Sequence, residues 1–303
     1  MSPQEAYDEF VKLRFCDTDG RPQCPRCKCD AVNTYKTRRI FKCKLCQSQF
    51  SATTDTIFAD HKLPFEKILL AISRFIGPAK GVNAEDLADL LVVTYKTAFV
   101  LAHKLRSLVE ADAATIMLDG VVEIDGAEIG GHVRPPNVKK KEGDHRKWPY
   151  RHKDRKQSAI VIRQRGGRIL TAAAKNESAG VPAIRSHLKK GTIVHADSAA
   201  CWNVLEASFH MERINHKESY WTPEASTNGA ESFFSTMRRA SFGIHHHISG
   251  RYLHLYLAFL AWRSTNRAES KRSRVGALCG LLGKHNPSEM RGYWQRSQRG
   301  GAA

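Results

Sequence analysis

Three carboxylates in the second half of the chain stand where phosphoryl-transfer chemistry needs them: Asp125 in VEIDG, Asp197 in IVHAD and Glu231 in NGAESFFSTMRR. Moving a phosphoryl group requires an attacking oxygen to be activated and a leaving oxygen to be stabilised. Two divalent ions about 4 Å apart do both. Mg²⁺ (or Mn²⁺) prefers oxygen ligands, so carboxylates supply the cage while water and phosphate fill the rest. Such a cage takes one acid from a central strand, one from the end of a neighbouring strand and one from a helix crossing them. Asp125, Asp197 and Glu231 match those three places. Asn228 lies one turn before Glu231 and Arg238 two turns after it, so all three can face one groove. An arginine there can hold a phosphate beside the ions. Glu123 shares a strand face with Asp125 and is the second-choice ligand. Asp119 and Glu128 are further acids nearby.

Each acid also has a structural reading. Asp125 precedes Gly126 and could start a turn. Asp197 could cap the helix that follows it. Asn228 and Glu231 have the spacing of a capping box. The site reading is preferred because the three occur together in the right order of elements, with 33 residues between Asp197 and Glu231.

A second constellation is sulfur. Cys24-Pro25-Arg26-Cys27 and Cys43-Lys44-Leu45-Cys46 form two CxxC pairs fifteen residues apart. Tetrahedral thiolate coordination of Zn²⁺ grips the ion from two tight turns, and this spacing is that of a structural zinc site. Cys29 offers an alternative CxC grip, with Cys24 and Cys27 preferred. A redox CxxC would occur once, ahead of a helix. Cys16, Cys201 and Cys279 read as plain thiols. His245, His246 and His247 are consecutive and point apart, so a solvated turn or phosphate contacts fit better than a metal. His195 shares a face with Asp197 and reads as a buried structural histidine.

The chain carries 48 Lys and Arg against 30 Asp and Glu, a net charge of +18 and a pI near 9.7. That balance calls for a polyanion, and clustering of the charge favours nucleic acid over mere solubility. Residues 21–50 hold eight basic residues and one acid. No apolar run approaches the roughly 18–20 residues of a membrane span. The opening MSPQEAYDEF has neither a basic flank nor an apolar stretch, so no secretory signal is expected. Eight cysteines so unevenly placed suit metal binding in a reducing cytosol rather than a disulfide scaffold.

The elements that must position these groups follow from periodicity. A leading helix over 4–15 precedes strand-like pieces at 33–35, 39–42 and 49–51, the outline of a zinc ribbon within residues 1–52. Residues 53–115 read as helical. Pro64 starts a helix stopped by Gly77-Pro78, and a short helix spans 84–91. Thr94 caps a longer helix from Tyr95 to Val109, which gives a helix-turn-helix outline with the last helix free for a DNA groove. An ordinary packed helical pair is the alternative.

From 116 to 270 the pattern becomes α/β. Strands are expected at 121–125, 158–164 and 168–174, then a helix at 182–190 and a strand at 192–196. A helix at 199–207, a strand at 211–215 and helices at 229–240 and 250–267 complete the order. That is the order of a ribonuclease H-like mixed sheet flanked by helices. A basic insertion, 132–157, carries ten Lys or Arg, three acids, Trp148 and Tyr150. It suits phosphates and unpaired bases as well as it suits a solvated charge run. The C-terminal tail, 271–303, is also basic and includes Tyr293 and Trp294.

These residues resemble the bacterial insertion-sequence DDE transposases of the ISXO type, which join a zinc ribbon to an integrase-like core. The resemblance spans roughly 20–267 through CPRC…CKLC, VEIDGAEIGG, HADS, INHKESY, NGAESFFSTMRR and YLHLYLAFLAWRSTNR. It implies a ribonuclease H-like fold, DNA cleavage and strand transfer, and divalent metal. Carried over by position, Asp125 and Asp197 are catalytic acids. Relatives use Asn or Glu as third member, so Asn228 and Glu231 both stand; an anionic oxygen binds Mg²⁺ better than an amide, which favours Glu231. Two departures are Gly126-Ala127-Glu128, where the family often continues Glu-Thr-Tyr, and Ser198, where an acid is usual.

The expected function is therefore a DNA transposase that cuts element ends and joins the 3′ hydroxyl to target DNA. Its partners would be double-stranded DNA and a second copy, as a homodimer or larger transpososome, in the bacterial cytoplasm with the nucleoid. Two other classes fit some of the residues: a catalytically inactive zinc-ribbon regulator derived from a transposase, and a ribonuclease H-type nuclease or resolvase.

Overall fold

A computed structural model describes residues 1–129, 157–214, 227–284 and 290. The chain divides into two compact units, one of residues 1–115 and 266–303, the other of residues 116–265. The basic insertion, all but Gln157, lies outside the described residues, as do most of the INHKESY run and most of the tail.

The first unit opens with helix α1 (Pro3–Arg14), started by a capping box between Ser2 and Glu5. Three short antiparallel strands follow, β1 (Val32–Tyr35), β2 (Ile40–Cys43) and β3 (Gln49–Phe50), with β2 central. Strands of four, four and two residues hold little by themselves. Phe41 and Phe50 pack 5.4 Å apart, and Phe15 meets Phe41 edge-on.

Helix α2 (Phe65–Ile76) has Pro64 as its N-cap, so it starts one residue after the expected Pro64. Its buried Ile68, Ala71, Ile72, Phe75 and Ile76 recur at helical spacing. Next come α3 (Ala84–Leu91) and α4 (Tyr95–Ala113). Asn83 caps the first through Asp86 N–H at 2.6 Å, and Thr94 caps the second through Thr97 N–H at 3.3 Å. Val92 makes the turn between them in the left-handed region, at φ 50°. The helix-turn-helix outline is therefore present, with Tyr95 exposed at the head of its second helix. That helix runs four residues beyond the expected Val109.

The second unit is a five-stranded sheet. Its strands are β4 (Val121–Ile129), β5 (Gln157–Gln164), β6 (Ile169–Ala174), β7 (Ile193–Asp197) and β8 (His210–Ile214). The order is β6-β5-β4-β7-β8, with β5 antiparallel to both its neighbours and β4, β7 and β8 parallel. This is the mixed sheet of a ribonuclease H-like core. Helix α5 (Glu177–Ser186) follows β6, short α6 (Asn203–Glu206) follows β7, and α7 (Asn228–Ala240) and α8 (Leu253–Thr265) close the unit. Helix α9 (Lys271–Gly280) belongs to the first unit.

Strand alternation separates the two faces of the sheet. Val122, Ile124, Ile160, Ile162, Val194 and Ala196 share one face and are fully buried. Helix α5 covers that face, with Gly180 seated directly on Ile160. Glu123, Asp125, Val161, Arg163, His195 and Asp197 share the other, and α7 lies on it. Among the described residues no helix is long and apolar enough to cross a membrane.

Two expectations are corrected here. The helix placed at 182–190 is α5, and Asn176 caps it by accepting from Ala179 N–H at 2.8 Å. Pro182 is inside that helix rather than at its head. Residues 187–189 instead pair with Leu118, through Leu118 N–H to His187 O at 2.7 Å and Lys189 N–H to Leu118 O at 2.9 Å. The strand expected to end at Asp125 continues to Ile129, because β5 pairs with it residue by residue out to Gln157.

Candidate carboxylate site and thiolate centre

Asp125 lies within β4 and not at a turn, which removes the turn-starting reading. Ile124 pairs with Ala196 in parallel register, so the next residues, Asp125 and Asp197, stand side by side on adjacent strands. Neighbouring strands are about 4.8 Å apart, a separation that lets two carboxylates address the same ions. Both aspartates are part-exposed.

Asp197 is held on one side only. Its Oδ1 accepts from Trp202 Nε1–H at 2.7 Å and from Ala199 N–H at 3.2 Å. The capping reading is thus half right: the carboxylate orders the turn after β7 with one oxygen. Its Oδ2 accepts nothing among the described residues. Arg213 of β8 pins the same turn, donating to Asp197 O at 2.8 Å and Ala199 O at 3.3 Å. Ser198 donates to Ile214 O at 3.0 Å, so its hydroxyl is spent on the β7–β8 junction.

Glu123 is the clearest correction among the candidate ligands. It is buried, and both its oxygens are engaged. Oε1 pairs with Arg165 Nε at 3.3 Å and Oε2 accepts from Ala230 N–H at 3.2 Å. A carboxylate at a helix N-terminus is favoured by the macrodipole and the free N–H groups there. Arg163, across β5, donates to Gly229 O at 2.6 Å. A Cβ at Gly229 would lie 2.5 Å from Glu123 Oε2 and 2.9 Å from Arg163 Cδ, so only glycine lets α7 sit this close to the sheet. Glu123, Arg163 and Gly229 therefore dock the head of α7 on the strand that carries Asp125. Alternation along β4 hinted at the face of Glu123 but not at its partner, which lies 107 residues away.

The docked helix begins at Asn228, with Thr227 as its N-cap and no side-chain cap. Asn228 and Glu231 are thus not the pair of a capping box. Ala230, Phe233, Phe234, Met237 and Ala240 form the buried stripe of α7, while Asn228 and Arg238 are exposed and Glu231 part-exposed. Arg238 makes no hydrogen bond or ion pair among the described residues. The structure thus brings Asp125 and Asp197 together and sets the head of α7 over their face. It does not draw Glu231 into one tight cluster with them: among the described residues, the cysteine quartet is the group of three or more such ligands that converges closely.

Three other groups behave as plain structural residues. His195 is buried, and its Nδ1 faces Arg165 Nη2 at 3.3 Å; burial and that arginine push its pKa down, which keeps the ring neutral. Cys201 donates to Glu177 Oε2 at 3.3 Å, and burial followed by that carboxylate pushes its thiol up to about 12. Burial does the same to Cys279. Such thiols are inert as nucleophiles. Glu177 also lies directly against Gly126, so a side chain at 126 would collide with it. His245 packs edge-on against Tyr256, and His246 and His247 are exposed.

In the first unit Cys24, Cys27, Cys43 and Cys46 converge with all four sulfurs within 4.8 Å of one another. Cys24 and Cys46 are 3.6 Å apart, and Cys27 and Cys43 3.5 Å. A tetrahedron with Zn–S bonds of about 2.3 Å has edges of about 3.8 Å, so the quartet fits zinc. These separations are far longer than a disulfide. Lys28 and Gln47 adopt positive φ just after each pair, which turns the backbone round the sulfurs. Hydrogen bonding, first from Cys46 N–H, draws the Cys43 thiol down to about 6, toward the thiolate a metal requires. Cys29 lies outside the quartet.

Comparison with known proteins matches both parts of the chain. Residues 117–265 match the ISXO2-like transposase domain, and residues 1–49 match a transposase zinc-ribbon domain. The chain is also 26% identical, over 230 residues, to an uncharacterized protein in transposable element ISH50 of Halobacterium salinarum, covering 71% of this chain and 76% of that one. A zinc ribbon followed by a five-stranded mixed sheet, each matched by its own transposase model, places the chain in the ISXO2-like transposase family.

Proposed function

We propose that the protein cleaves the ends of an insertion sequence and joins the freed 3′ hydroxyl to target DNA at Asp125, Asp197 and Glu231. The observation that carries this is the side-by-side placement of Asp125 and Asp197 on β4 and β7, under the head of α7. Divalent ions held there would activate the attacking oxygen and stabilise the leaving one. The chain's own residues do the rest. The Oδ2 of Asp197, which accepts no hydrogen bond among the described residues, offers an anionic ligand while Trp202 and Ala199 hold the other oxygen. Glu123, Arg163 and Gly229 keep α7 against the sheet so that Glu231 and Asn228 approach from above. Arg238, exposed and without an ion pair among the described residues, contacts a DNA phosphate. The ribbon and the helix-turn-helix supply further contacts to duplex DNA. No protein nucleophile is involved, so no covalent protein–DNA intermediate forms. Two ends must be cut together, which calls for a dimer or larger assembly.

Joining of a labelled, pre-cut element end to plasmid in Mg²⁺ tests this reading. A regulator without activity gives no product, and a nuclease or resolvase nicks without joining. The third ligand is decided in the same assay. Glu231→Gln is expected to abolish joining, with Asn228→Ala retaining at least about a tenth of it. Loss in Asn228→Ala with retention in Glu231→Gln reassigns the ligand to Asn228.

Trp202→Phe removes the indole donor from Asp197 and leaves the ring's packing largely in place. Outer-shell partners of this kind are worth about 10–100-fold. The expected result is joining slowed by that factor with DNA affinity unchanged in a gel-shift titration. An unchanged rate would show that Oδ1 needs no such hold.

A further inference from the structure

Beyond Arg238 the same stripe of α7 carries a side chain that packing does not explain. Glu231, Arg238 and Phe242 are separated by seven and then four residues, the spacing that keeps side chains on one helical face. Phe242 is 74% exposed, and open space surrounds the adjoining Gly243. The α-helix gives way here to a π-helical turn, Ser241–His245, a widening that recurs at functional sites. The chain on either side of it is rich in arginine and lacks acids. No Asp or Glu stands between Glu231 and Glu269, while five Arg and four His do. His246 and His247, both exposed, stand four and five residues after Phe242. An exposed ring in a field of this sign suits a polyanion that carries its own flat rings.

We propose that Phe242 is a base-stacking wedge, which receives a nucleobase of the element end unstacked near the scissile phosphate. The proposal rests on the reading of Glu231 and Arg238 given above. Phe242 is eleven residues past Glu231, about 16 Å along a helix rising 1.5 Å per residue. At 3.4 Å per nucleotide that is about five base steps from the cut. Apolar side chains inserted at a base step unstack it and bend the duplex. Stacking on an aromatic ring tolerates any base, so the wedge would set the position of the cut rather than read sequence. The single stripe then has three tasks in order: metal ligand, phosphate contact and base platform.

The test uses the full-length chain and a duplex bearing the inverted repeat that flanks its gene, with 2-aminopurine substituted singly at successive positions inside the cut. Without Mg²⁺ nothing is cleaved, so stacking is read independently of catalysis. The wild-type chain is expected to change the fluorescence several-fold at one position about five steps from the cut. Phe242→Ala should remove that change and weaken binding about tenfold, while Phe242→Trp restores both. Because the side chain is exposed, the melting temperature should stay unchanged. A wild-type chain that leaves every position silent overturns the proposal, as does a signal that survives Phe242→Ala. So does a Phe242→Ala chain that keeps its signal but sediments as a smaller species, since a second copy of the chain then covers the ring. If Glu231→Gln and Asp197→Asn remain active while the wedge signal is present, the catalytic assignment fails and the stacking role stands.

Discussion

Chains carrying Asp125→Asn or Asp197→Asn are expected to bind element-end DNA within a few-fold of the parent and to cut and join it at least about 10³-fold more slowly. The argument is one of charge at constant shape. Asparagine fills the same volume, and its amide oxygen at position 197 can still accept from Trp202 and Ala199, so the turn after β7 survives. What is lost is one anionic oxygen from a pair on adjacent strands, and a hard divalent ion holds an amide oxygen far less well. Binding survives because affinity for duplex DNA comes from cations spread over many phosphates. The measurement is single-turnover joining beside gel-shift affinity and a thermal melt. A variant that joins within tenfold of the parent would remove that aspartate from the site.

The second large effect concerns the ribbon. Stripping zinc with a chelator, or replacing Cys43 by Ser, is expected to unfold residues 21–50 while the sheet of the second unit keeps its structure. The three ribbon strands total ten residues and bury few apolar side chains, chiefly Phe41 and Phe50. Zinc binding in small ribbons of this kind is worth about 10–16 kcal/mol, more than such strands hold without it. Trypsin reports the result directly, since eight Lys and Arg lie in 21–50. Cleavage there should accelerate more than about tenfold on zinc removal and fall back on zinc addition. Acid should act like the chelator. Protons compete with the ion for the four thiolates, so zinc is held at neutral pH and released as the pH falls. One zinc per chain at neutral pH, falling toward none below pH ~5, is the expected profile. Ribbon protection that outlasts the metal would refute it.

Much of this was legible from residue types and spacing. Two CxxC pairs state their chemistry without a fold, because ligand geometry at zinc is satisfied by local turns. The quartet of Cys24, Cys27, Cys43 and Cys46 was preferred from sequence, and the structure left Cys29 outside it. Strand and helix periodicity likewise yielded the sheet's order of elements, since the alternating and 3.6-residue patterns are properties of short windows. The misreadings came from local signals that longer-range contacts overrode. Pro182 reads as a helix start, yet Asn176 caps the helix and Leu118 claims residues 187–189. Gly126 reads as a turn, yet β5 carries the strand through it.

The sequence by itself determined the thiolate quartet, the element order and the placing of Asp125 and Asp197 on neighbouring strands. Tertiary structure alone decided how the carboxylate face is organised. Glu123 is a buried acid two residues before Asp125, and nothing local distinguishes it from a metal ligand. Only the arrival of Ala230 N–H and Arg165 shows that its oxygens are already spent. Trp202 became a holder of Asp197, Gly229 a point of closest approach and Phe242 an exposed ring for the same reason. A carboxylate's role depends on what lies within about 3 Å of its oxygens, and for Glu123 those neighbours are 42 and 107 residues away along the chain.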